Sequence, residues 1–271
     1  MSSTKDAPAT SSVEETQPLP DIFPAEEEQA LLSSSNTEKA TANKIFTTGA
    51  YTDAIQGYEK ALAICPNYLE YDIAVLHANI AACHLKLLEW KAAVDSATKA
   101  LDALDLLDPP APVSTTHDDA AQPSSSGTAT IAEVDDRTEL HLSALNRTGK
   151  SLHDIHRLRT KALLRRAKAR HNIPTWASLQ AALEDYTALL RPPHTLSSLD
   201  RSAVTTALKQ LPAEVQRARE DEMADMMGKL KQLGNGILKP FGLSTENFRL
   251  EKGEGGGYSV QFDQAAGKKE K

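Results

Sequence analysis

TEKATANKIFTTGAYTDAIQGYEKALAICP, residues 37–66, decides how the rest of the chain is read. Small or aromatic residues fall at Ala42, Tyr51, Ala54, Tyr58 and Ala61, and Pro66 closes the stretch. Alanines let two helices cross closely, and aromatics fill the space beside the crossing. The proline ends the second helix because it lacks an N–H and clashes with the preceding turn. The stretch therefore predicts a helix-turn-helix unit, with helices over 35–49 and 52–65.

Working outward, DIAVLHANIAACHLKLL (72–88) and EWKAAVDSATKALDAL (89–104) repeat the pattern. Ala81, Trp90, Ala93, Ala97 and Ala100 reproduce the intervals of 9, 3, 4 and 3 residues seen in the first unit. RLRTKALLRRAKARH (157–171) and WASLQAALEDYTALLRPP (176–193) form a looser third unit, in which Ala182 and Tyr186 match Ala54 and Tyr58. Its turn, HNIPTWAS, is longer than that of the first unit. The period and its pattern positions resemble the tetratricopeptide repeat (TPR), and three units meet the usual minimum for a stacked array. Single units cannot bury an apolar face alone, so neighbours supply the partner surface. Further helices are predicted over 70–87, 90–106, 151–171 and 177–190.

Five residues stand at matching places in these units: Lys39 and Asn43, then Asn79, then Lys161 and Arg165. Lys39 and Asn43 are four apart, as are Lys161 and Arg165, and that spacing puts two side chains on one helix face. They offer cationic and amide donors with no acid among them, which suits a carboxylate-bearing peptide end. A competing view treats them as ordinary surface residues.

Apolar residues make up 40% of the 271, slightly low for a fully globular chain. The shortfall lies in two Ser-, Pro- and acid-rich stretches, 1–33 and 108–136, which cannot bury enough apolar area to offset ordering entropy. The expected organisation is a disordered acidic tail over 1–33 and a TPR domain over 34–198, interrupted by a disordered insertion over 108–136. A C-terminal helical module with a hairpin tail follows over 199–262, then a disordered charged tail over 263–271. The fold class expected is all-α: a three-repeat superhelix, C-terminal helices and a small β-hairpin.

The net charge of −7 argues against a nucleic-acid partner. One helix departs from it, with Arg157, Arg159, Lys161, Arg165, Arg166, Lys168 and Arg170 in succession. Cys65 and Cys83, the two cysteines, form no disulfide framework and fit a reducing compartment. The start MSSTKDAPATSS carries no apolar secretory segment, and no run reaches the length of a membrane span, so the cytoplasm is the expected location.

In the C-terminal part, SLDRSAVTTALKQL predicts a helix over 199–211. Pro212 is then expected to open a second helix over 213–233, closed by Gly234. Met223, Met226, Met227, Leu230 and Leu233 recur at three- and four-residue steps; the expectation is that this stripe is core, packed against the last repeat, with an adaptable partner-binding face as the alternative. Phe248 and Leu250, then Tyr258, Val260 and Phe262, alternate around GEGGG and predict a hairpin. With Phe241, these side chains are expected to pack on the stripe or on the last repeat, since a lone hairpin is marginal in water; the rival view is that they stay exposed as a partner's docking patch.

GKLKQLGNGILKPFGLSTENFRL (228–250), followed by GGYSVQF (256–262), resembles the tetratricopeptide repeat protein 1 family, as do KALLRRA and LEDYTALL. That resemblance implies an adaptor binding cytosolic heat-shock chaperones of the 90 and 70 classes, and small or heterotrimeric GTPases. The five donors also resemble the two-carboxylate clamp of TPR co-chaperones. This implies that Lys39, Asn43, Asn79, Lys161 and Arg165 hold a chaperone tail ending in Glu-Glu-Val-Asp through charge-assisted bonds. A signalling scaffold acting through the C-terminal module is the alternative.

No catalytic, cofactor or metal site is expected. GEGGG is not followed by the Lys-Ser/Thr of a phosphate loop. The pairs His153/His156 and His77/His84 lack further ligands at metal-binding spacing. Cys83 and His84 are adjacent on a helix and point apart.

Overall fold

The computed structural model describes residues 22–109, 143–241, 243–252 and 258–262. Two compact units divide between Ala162 and Leu163. The expected disorder at 1–21, 110–136 and 263–271 lies outside the described residues.

The first unit holds α1 (Ala25–Thr47), α2 (Tyr51–Ile64), α3 (Glu70–Lys86) and α4 (Trp90–Leu107). A helical turn at 143–147 and the start of α5 (Leu152–His171) complete it. In it α1 packs on α2, α2 on α3 and α3 on α4, which is the TPR-like succession of helical hairpins. Ala42, Ala54, Tyr58 and Ala61 form its core with Leu76, Ile80 and Cys83. The crossing is tight at Gly57, where a Cβ would lie 2.8 Å from the Ala42 Cβ. The second hairpin closes in the same way on fully buried Ala81, Ala93, Ala97 and Ala100. Gly49 turns the first hairpin at φ 86°, and the equivalent turn in the second is made by Leu88 at φ 61°. Only glycine adopts that conformation without Cβ strain.

The first helix begins at Ala25, ten residues before the expected 35, so residues 25–33 are helix and not part of a disordered tail. Local composition missed this because the anchors are remote in sequence. The Ser35 hydroxyl donates to the Ala61 carbonyl at 2.8 Å, and Arg147 donates to the buried Glu28 carboxylate at 2.9 Å. Glu26, Glu27 and Glu28 also oppose the positive end of the helix dipole. Asp108, expected in the disordered insertion, is held by Arg159 at 2.7 Å.

The second unit contains the remainder of α5, α6 (Trp176–Leu189) and α7 (Ser198–Leu238). Thr175 and Ser197 cap α6 and α7 by accepting from Ser178 N–H and Asp200 N–H. Asp185 of α6 takes two bonds from Arg166 (3.1 and 2.8 Å) and one from Arg170 (2.8 Å), tying α6 to α5. Two helices were expected across Pro212; α7 is one continuous helix with the proline inside it. An internal proline costs about 3 kcal/mol, and contacts on both sides of it carry the helix through. Val204, Ala207 and Leu211 are buried before it. After it, Glu214 pairs with His171 at 3.1 Å and Glu222 accepts from Trp176 N–H at 2.7 Å. The helix also runs through Gly234 to Leu238, so that glycine is not its cap.

A 3₁₀ turn at Lys239–Phe241 follows, then a second at Thr245–Asn247. Strands β1 (Phe248–Lys252) and β2 (Tyr258–Phe262) pair antiparallel, Phe248 opposite Phe262. Contrary to expectation, Met223, Met226, Met227, Leu230 and Leu233 are exposed, as are Phe241, Phe248 and Phe262. The segment after α7 is attached by polar groups instead. Asn235 Oδ1 accepts from Thr245 N–H at 2.7 Å and from its hydroxyl at 2.9 Å, and Asn247 is buried within the Ser244 capping box. The side chains of Leu250, Tyr258 and Val260 lie outside the described residues.

Candidate carboxylate-binding face

The alanine crossing that builds the first hairpin also aims its donors. Because Ala42 is buried against α2, its neighbour Asn43 stands at the rim of that contact, exposed, with Lys39 half-buried one turn before it. The buried Tyr58 donates its hydroxyl to Asn43 Oδ1 at 2.7 Å. That bond holds the amide with its oxygen toward α2, so the NH₂ edge is the one presented elsewhere. Lys39 Nζ donates to Asn36 Oδ1 on the preceding turn of α1.

Lys39 also acts across to α3. Burial pushes the Asp72 carboxyl above its ordinary range, and the charges of Lys39 and Lys150 pull it back. Asn79 lies two turns beyond Asp72, on the same face of α3. Asn79 is half-buried there. Burial likewise raises the Cys65 thiol to about 12, with Asp72 adding to the rise, so this sulfur is a packed hydrophobe rather than a nucleophile.

On α5, Arg159, Arg166, Lys168 and Arg170 meet carboxylates of the same chain. Arg159 binds Asp105 at 3.0 Å, Asp108, and the carbonyls of Leu104 and Asp108, which closes the C-terminal end of α4. Its Nε is the one buried side-chain nitrogen or oxygen without a hydrogen-bond partner among the described residues. Arg166 and Arg170 share Asp185, and Lys168 lies 3.8 Å from Asp200. Lys161 is exposed and Arg165 half-buried, one turn apart on the same helix. Lys39, Asn43 and Asn79 thus stand on two helices, α1 and α3, that share one core with α2, whereas Lys161 and Arg165 fall on either side of the division between the units.

His84 pairs with Glu89 at 2.6 Å, His156 with Asp108 at 3.1 Å, and burial lowers His77. Among the described residues, no group of three or more His, Cys, Asp or Glu is placed to hold a metal ion. No helix among them is long and apolar enough to cross a membrane. Sequence reasoning missed Tyr58 as the residue that orients Asn43; its signal was an aromatic at the crossing that carries a hydroxyl.

No family model matches the chain. Part of it is similar to the mitochondrial import receptor subunit TOM70 of Mus musculus, 33% identical over 75 residues, which is 28% of this chain and 12% of the receptor. Dynein axonemal assembly factor 4 of Mus musculus is 36% identical over 92 residues, 34% of this chain and 19% of that protein. The chain thus matches less than a fifth of either relative's length. Among solved structures, the Hsp90 co-chaperone Cns1 from Saccharomyces cerevisiae gives a TM-score of 0.42 at 16% identity, over 81% of this chain and 51% of the other.

Proposed function

We propose that this chain is a non-catalytic TPR adaptor of the co-chaperone kind, one that holds the acidic C-terminal tail of a heat-shock chaperone. Lys39, Asn43 and Asn79 form one part of the carboxylate clamp, and Lys161 and Arg165 form the other. The resemblance of the C-terminal segment to tetratricopeptide repeat protein 1 points the same way. So do the relatives' names, an import receptor and an assembly factor, which describe binding rather than a reaction. The observation that carries the proposal is geometric: α1 and α3, which bear Lys39, Asn43 and Asn79, share one core with α2, and the Tyr58 hydroxyl fixes the Asn43 amide. Donors from two repeats then serve one groove, and the Tyr58 bond sets the direction of the Asn43 amide in advance. Preorganised donors lose less entropy when a flexible peptide end arrives.

Titration calorimetry with a peptide ending in Glu-Glu-Val-Asp, as free acid and as C-terminal amide, tests this. The amide is expected to bind at least about tenfold more weakly, as is the free acid to Lys39→Ala or Arg165→Ala. Each change removes a charged hydrogen bond worth roughly 1.5–3 kcal/mol. Equal affinities for acid and amide, or an unchanged affinity in both variants, overturn the proposal.

A further inference from the structure

Past the point where Trp176 N–H meets Glu222, α7 runs on with one apolar face uncovered. Met223, Met226, Met227, Leu230, Leu233 and Ile237, with Phe241 just beyond the helix, are each more than half exposed. Met223, Met226, Leu230, Leu233 and Ile237 alternate three and four residues apart, the spacing of a helix-pairing seam. The turn that follows the helix docks at Lys231, Gly234 and Asn235, on the flank of this seam and not over it. Contiguous exposed apolar surface of this extent marks an interaction site.

The charges beside the seam say what kind. Between 220 and 239 every acid precedes every base: Glu220, Asp221, Glu222 and Asp225, then Lys229, Lys231 and Lys239. We infer that the occupant of this face is a second copy of the same helix, running antiparallel to form a symmetric dimer. Antiparallel pairing sets the acidic segment of each copy beside the basic segment of the other, about a twofold axis near Gly228. Parallel pairing would stack like charge on like. The four carboxylates also oppose an anionic lipid surface. Each large apolar side chain carries about 60–120 Å² at the usual conversion, and at 52–75% exposure the seven offer roughly 250–500 Å² per copy, enough for a weak contact. A standard stable interface buries about 800 Å² per partner. The contact is isologous, so it closes at two chains.

Sedimentation of the full chain at roughly 1–100 µM, the weak end of affinities for such areas, tests the inference. The mass is expected to rise from that of one 29.3 kDa chain toward twice that value. Leu230→Glu with Leu233→Glu should hold the chain monomeric over the same range, with its helical circular dichroism unchanged. Lys229→Glu with Lys231→Glu, and separately Glu220→Lys with Asp225→Lys, should each weaken self-association at least about tenfold. An equimolar mixture of these two variants should regain it as a heterodimer, because each then presents what the other lacks. A monomer at every concentration overturns the inference. So does a dimer indifferent to the double glutamate, or a mixture no tighter than its components.

Discussion

Leu211 and Leu230 sit on one helix, each in a run of apolar residues at helical spacing, and their surroundings are opposite. Leu211 is 0% exposed and Leu230 is 61% exposed. The difference is not in the helix but in what runs beside it. From Val204 to Leu211, α7 has α6 as a neighbour; beyond Glu222, α6 has ended at Trp176. Amphipathic spacing shows that a face wants cover, and the length of the adjacent element decides whether it gets any.

The sharpest way to break this comparison is the same substitution at both places. Leu211→Ala should cost about 2–5 kcal/mol of stability, because it opens a cavity in packed surroundings. Leu230→Ala, measured by denaturant on the dilute chain, should stay within about 0.5 kcal/mol, as exposed positions do. Equal costs would mean that both halves of α7 are covered.

Asp185 tests what holds α6 beside the covered half. Its carboxylate is buried and shared by Arg166 and Arg170, which are themselves partly exposed. Asp185→Ala leaves two guanidinium groups without their partner and should cost about 3 kcal/mol, read as a lowered denaturant midpoint. A loss below about 0.5 kcal/mol would show that apolar packing alone seats α6.

At the uncovered half the effect is smaller and local. Asn235→Ala removes the acceptor for both Thr245 bonds and should free the 245–247 turn at a cost of about 1 kcal/mol. Hydrogen exchange is expected to quicken at Thr245 and Asn247 while protection in α6 is unchanged. Unchanged exchange at Thr245 would show that the turn is held by something other than Asn235.

How much of this was legible follows from where each partner lies. The alanine and tyrosine positions of α1–α4 repeat at fixed intervals, and each reads against its own hairpin partner, so the hairpins could be located from sequence within a few residues. The N-terminal turns of α1 could not, because Ser35 and Glu28 find their partners in Ala61 and Arg147. Pro212 read as a break, since the contacts of Leu211, Glu214 and Glu222 that span it are tertiary. Within the candidate site, the donors Lys39, Asn43 and Asn79 were visible as spacing and residue type. The Tyr58–Asn43 bond and the shared electrostatic environment of Lys39 and Asp72 were not.

Sequence alone determined the helical repeat, because alanine spacing, a closing proline and a turn glycine act over a few residues along one chain. It also determined which residues carry donors, since charge and spacing are properties of the chain itself. Only the tertiary structure decided which arginines of α5 meet carboxylates of the same chain, where α7 continues through its proline, and which half of its apolar stripe is covered. Those outcomes depend on groups far apart in sequence, and burial is a property of the pair in contact, not of either residue by itself.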